Sequence, residues 1–147
     1  MVLVLIALAS GLATLALRDG GQARLEQEAA RLAALLEAGR AESRAFGVTV
    51  RFELSGAGST ADGNGPERGD GSGARIDYRF VGLPAKTLPP GHWLEAQTQA
   101  EIVGARALRL GPEPLIGAQR IVLSLDGQQR VVATDGLAPF TVQQAAP

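Results

Sequence analysis

At Gly47 the spacing of apolar residues switches from one that suits a helix to one that suits strands. This switch limits the chain to an α+β arrangement. From about Gln22 to Phe46, the residues Leu25, Ala29, Leu32, Leu36, Gly39 and Ser43 fall within an arc of about 80° on a 3.6-residue helix. Leu35 and Phe46 adjoin that stripe. We therefore expect Leu25, Leu32, Leu35, Leu36 and Phe46 to carry the packing of this helix on a sheet. The stripe is rich in small residues. It faces the chain's own core, or it is shared between that core and a neighbouring subunit. Arg24–Glu28, Glu28–Arg31 and Glu37–Arg40 have the spacing of helix-surface pairs, each worth a few tenths of a kcal/mol.

Beyond Gly47, Val48, Val50, Phe52 and Leu54 alternate with polar residues, the pattern of a half-buried strand. Ile76, Tyr78 and Phe80 indicate a second strand, and His92–Thr98 and Ala105–Leu110 are weaker candidates. The three prolines between Leu83 and Gly91 indicate a loop. Near the end, Ile121, Leu123 and Leu125 alternate before Asp126-Gly127, and Arg130–Thr134 follows, which is a hairpin signature. Between the first two strands, Ser55–Ala74 contains seven glycines and reads as a long functional or disordered excursion. The expected order is one helix and then a run of antiparallel strands, with the helix laid across the sheet so that both bury their apolar faces.

Ahead of the amphipathic helix lies Met1–Leu17, a run without charge. As a helix it would be about 25 Å long, a little under the 30 Å or so of a bilayer core. Its nine Val, Leu and Ile residues are Val2, Leu3, Val4, Leu5, Ile6, Leu8, Leu12, Leu15 and Leu17. Together they favour insertion by at most about 3–5 kcal/mol. Two readings fit. One is a signal peptide cleaved near Ala7-Leu8-Ala9, although no basic stretch precedes the run. The other is a membrane helix that begins upstream. Asp19-Gly20-Gly21 then weakens the helix, since each glycine costs about 1 kcal/mol. The division is thus 1–17 for the apolar segment, 18–47 for the amphipathic helix and 48–147 for a β-rich domain.

The residues that could carry chemistry are few. The chain has 147 residues, a formal net charge of -1 and no cysteine, so neither a disulfide framework nor a strong pull towards nucleic acid is expected. His92 is the single histidine and lies at a loop-to-strand junction. Gly69-Asp70-Gly71-Ser72-Gly73-Ala74 resembles a dinucleotide glycine pattern only superficially, because a strand rather than a helix follows it. Asp62-Gly63-Asn64 opens like a calcium loop, but Gly73 occupies the position of the bidentate glutamate. Asp62, Glu67 and Asp70 could at most gather an ion loosely. We expect no enzyme, no cofactor and no resident metal. The arginines are interleaved with acids, which argues against a nucleic-acid partner.

The order of segments resembles a family. Met1–Leu17 is similar to the apolar helix of type IV pilins and pseudopilins. Glu28-Ala29-Ala30-Arg31-Leu32-Ala33-Ala34-Leu35-Leu36 and Ala41-Glu42-Ser43-Arg44 look like the helix of H-type and FimT-like members. Leu110-Gly111-Pro112-Glu113-Pro114, Gln119-Arg120-Ile121-Val122-Leu123 and Asp135-Gly136-Leu137-Ala138-Pro139-Phe140 resemble the H-type minor pseudopilin of type II secretion systems more specifically. The resemblance spans nearly the whole chain apart from the glycine-rich loop. It implies a pilin-like α+β fold and a structural subunit of the secretion pseudopilus, which supports export of folded proteins across the outer membrane. It also implies a single-pass location in the bacterial inner membrane with the domain in the periplasm. The implied partners are other pseudopilins, the inner-membrane assembly platform and, if a leader precedes Met1, the prepilin peptidase. Family precursors carry a basic leader, a cleavage site after glycine, an N-methylated phenylalanine and a glutamate four residues later. The resemblance implies that these lie upstream of Met1. Two alternatives are a FimT-like minor pilin of a type IV pilus or DNA-uptake system, and a secreted β-rich binding protein released from a signal peptide.

Overall fold

The helix stops at Gly47 because the chain there adopts φ +64°, a conformation that costs glycine little. The Val48 N–H turns back to the Ser43 carbonyl at 3.1 Å and closes the last turn. The computed structural model describes residues 2–55 and 76–145, and of residues 2–19 the backbone alone. In it α1 runs without a break over Val2–Phe46. The expected weak point at Asp19-Gly20-Gly21 does not interrupt the helix. A local propensity cost of about 1 kcal/mol per glycine is outweighed by the helical turns propagating from both sides.

Seven strands follow: β1 (Val50–Leu54), β2 (Tyr78–Val81), β3 (Gln99–Ile102), β4 (Ala107–Gly111), β5 (Gln119–Leu125), β6 (Gln128–Thr134) and β7 (Thr141–Gln144). Every pairing is antiparallel. They form two sheets, of order β2-β1-β4 and β3-β5-β6-β7, where the sequence suggested one. β4 pairs with β1 and β5 with β3, so the connector Pro112–Ala118 carries the chain from one sheet to the other. The protein is thus an α+β domain with an N-terminal helix packed on antiparallel sheets.

Alternation dictates which strand residues face α1. Ile121, Leu123 and Leu125 of β5 are buried, as are Val50 and Phe52 of β1 and Leu108 and Leu110 of β4. Phe52 lies directly opposite both Phe80 and Leu108, and its ring meets that of Phe80 edge-on at 5.3 Å between centroids. The expected hairpin forms as β5–β6. Leu125 pairs with Gln128, and the two turn residues Asp126 and Gly127 both have positive φ.

Three local expectations need correction. His92–Thr98 is irregular, and the strand begins at Gln99 instead. Ile76 precedes β2 and is half exposed rather than turned inward. Phe46 was expected against the sheet but is 62% exposed. It lies one turn past Ser43, the last buried residue of α1, where the strands no longer reach it.

The small-residue stripe faces inward. Leu25, Ala29, Leu32, Leu36 and Ser43 are all fully buried, and Leu35 is half-buried at the edge. A Cβ on Gly39 would lie 2.7 Å from Leu110 Cδ1 and 3.2 Å from Phe80 Cε1. A side chain at this position would therefore force the Leu110 and Phe80 side chains to shift. Gly39→Val should lower the unfolding free energy by about 1–3 kcal/mol, because the gain in helix propensity over glycine is smaller than the overpacking cost. Urea denaturation of the domain checks this, and an unchanged midpoint would count against so tight a seat.

Candidate functional site

The structural feature that most constrains function is the joint between α1 and the β strands. The apolar stripe supplies its centre. On a helical wheel Glu28 and Arg40 lie about 60° to either side of that centre, near enough to be drawn under the neighbouring loops. Glu28 is 2% exposed and Arg40 is 4% exposed, whereas the sequence suggested that both sit on the wet face.

On one flank Glu28 accepts two hydrogen bonds. Its Oε1 takes one from Arg31 Nη1 at 2.8 Å, and its Oε2 takes one from the backbone N–H of Leu94 at 2.6 Å. Arg31 then reaches outward, donating to the Tyr78 hydroxyl at 2.9 Å and to the His92 carbonyl at 3.3 Å. Beneath them, Asp77 Oδ2 accepts the Trp93 N–H at 2.9 Å, and the backbones of Tyr78 and Gly91 bond to each other. The segment from Gly91 to Glu95 is thereby strapped both to the helix and to β2. Burial raises the pKa of the Tyr78 phenol above its usual value, and the Arg31 guanidinium partly offsets this. His92 enters the network through its carbonyl, and its side chain is exposed.

On the other flank Glu37 and Arg40 hold the segment after β6. Glu37 Oε1 accepts the backbone N–H of Phe140 at 2.8 Å, and Arg40 Nη1 donates to the Ala138 carbonyl at 3.0 Å. The two side chains also pair at 3.2 Å. The held segment is itself built: Asp135 Oδ1 accepts the N–H groups of Leu137 and Ala138, and Thr134 Oγ1 donates to the Ala138 carbonyl. The backbone bonds from Ala138 and then Leu137 hold the Asp135 carboxyl below its ordinary pKa. Ile116 N–H donates to the Gly136 carbonyl at 3.2 Å, so the β4–β5 connector is stitched to the same loop. At the N-terminal end of the joint, Arg130, itself buried, donates to Glu26.

Two of the three expected surface pairs form, Glu28–Arg31 and Glu37–Arg40. Arg24 instead lies 3.6 Å from Glu95 in an exposed pair. The position of Glu28 and Arg40 at the borders of the apolar arc was a signal available in the sequence. Their partners are loop backbone groups, for which no residue pattern gives a sign.

Among the described residues, no group of three or more histidines, cysteines, aspartates or glutamates could hold a metal. The loop expectations at Asp62, Glu67 and Asp70 and at Gly69–Ala74, along with the excursion Ser55–Ala74 apart from Ser55 itself, lie outside the described residues. A shallow groove of about 570 Å³ crosses the outer face of the second sheet, between Arg120, Val131, Ala133 and Gln143. Among the described residues no helix is long and apolar enough to cross a membrane. Val2, Leu3, Val4, Leu5, Ile6, Leu8, Leu12, Leu15 and Leu17, expected to form the membrane and assembly helix, have side chains outside the described set.

This arrangement resists displacement of the helix. For α1 to slide or peel away, two buried ionic groups and two loop straps would have to give way along with the apolar core. Comparison with family models, with curated proteins and with solved structures yields no match.

Proposed function

We propose that the chain is a membrane-anchored subunit of a pilin-like periplasmic filament, a minor pseudopilin of the H type. The observation that carries this reading is the single helix Val2–Phe46: its sequence begins apolar and uncharged, and its C-terminal half is locked into a small β module. A rod and head of this kind can exist in two settings. In one the rod lies in the inner membrane with the head in the periplasm. In the other it packs among the rods of other subunits. Between apolar helices in lipid the hydrophobic effect contributes little, so close packing has to drive association. The joint then transmits to the head whatever force draws the rod out of the bilayer. The partners on this reading are other pseudopilins and the assembly platform.

The reading is tested at Leu5. Arginine in place of leucine costs up to about 3 kcal/mol in an apolar helix, which removes much of an insertion gain of about 3–5 kcal/mol. Leu5→Arg should therefore abolish membrane retention and entry into filaments while leaving the circular dichroism of the β module unchanged. An unaltered membrane fraction together with normal secretion would sink the proposal.

A further inference from the structure

Where α1 leaves the β module, little holds it. Gly20 is exposed, and a Cβ built on it would meet nothing within 4 Å. The nearest atom to a Cβ on Gly21 is Asp126 Oδ2 at 3.7 Å. Gln22, Ala23 and Arg24 are exposed, and among the residues whose side chains are described the first buried one is Leu25. Among the described residues, the first side-chain ties to the β module are the Arg24–Glu95 pair at 3.6 Å and the Glu26–Arg130 bond. Beneath this turn an open groove of about 470 Å³ lies between Gln22, Ala23, Glu26, Arg130 and Gln144. Two adjacent glycines, the residues that most favour leaving a helix apart from proline, thus sit on a described turn of α1 that has little packing to offset them. The groove beside them gives the turn room to bend.

We propose that Gly20-Gly21 is a hinge, through which the N-terminal rod of α1 changes its angle to the β module while Leu25–Ser43 stays fixed. Opening one turn here breaks backbone bonds but, among the described residues, no buried side-chain packing, so the motion is decoupled from unfolding of the domain. The hinge is a property of the chain alone and stands whether or not the chain enters a filament.

The test uses the full chain in detergent. It contains no cysteine, so labels can be placed singly. Spin labels at Ser10→Cys and Gln129→Cys report the rod against the sheet. Labels at Ala41→Cys and Gln129→Cys report the fixed half of the helix. In the otherwise native chain the first distance distribution should be broad and the second narrow. Gly20→Ala/Gly21→Ala, for which the structure leaves space, should narrow the first by about half and leave the second alone. Amide exchange at 20–24 should slow by about tenfold or more in the same variant. A narrow rod-to-sheet distribution in the native chain would overturn the hinge. So would a double variant as broad as the native chain, or one with unchanged exchange.

Discussion

Deleting residues 22–46 should leave Val48–Pro147 without a cooperative fold. Leu25, Leu32 and Leu36 are each fully buried, and burial of each contributes about 1.5–3 kcal/mol. Their combined share of about 5–9 kcal/mol is comparable with the whole stability of a small domain, about 5–15 kcal/mol. The deletion also exposes the inward faces of both sheets, among them Phe52, Leu108, Leu110, Ile121, Leu123 and Val132. It strands Arg130, the Leu94 N–H and the Phe140 N–H, all of which bond to α1 side chains. The fragment should show no sigmoidal urea transition and little dispersion in its amide spectrum. A fragment that melts cooperatively would mean that the sheets are stable by themselves and that the helix is an accessory.

Glu28→Ala is expected to cost about 3 kcal/mol, far more than an ordinary exposed helix residue. A surface pair three residues apart is worth only a few tenths of a kcal/mol. Glu28, however, is buried, and its removal leaves the Leu94 N–H without its acceptor and takes from Arg31 its carboxylate partner. Breaking such a buried, hydrogen-bonded group costs several kcal/mol because the remaining partners stay desolvated. Glu28→Gln keeps an oxygen for the Leu94 N–H, so it should recover about half the loss. Glu42→Ala on the more open side of the helix should stay within about 0.5 kcal/mol. Chemical denaturation of the three variants reads the difference. Equal midpoints for Glu28→Ala and Glu42→Ala would show that the strap at Gly91–Glu95 contributes nothing.

The difference between these two glutamates shows how far the residue order can be read. A carboxylate three residues before an arginine looks the same whether a loop covers it or water does. Leu25, Leu32 and Leu36 were legible because periodic burial is a one-dimensional signal. Phe46 was misread because periodicity says which side a residue faces but not how far along the helix the strands extend. Gly39 was legible as small. What made it necessary, the contact with Leu110 and Phe80, lies in strands remote from it in sequence.

The amino-acid order by itself determined the α-to-β switch at Gly47, the inward stripe of the helix and the Asp126-Gly127 hairpin. Each is set by neighbours within a few residues, through backbone conformation or repeat spacing. Only the tertiary structure decided that the strands divide into two sheets and that Pro112–Ala118 carries the chain between them. It alone revealed that Glu28 and Arg40 pin loops more than sixty residues away in sequence. Those outcomes depend on which surfaces meet when the helix settles on the strands, a matter of shape and desolvation in three dimensions that leaves no local mark.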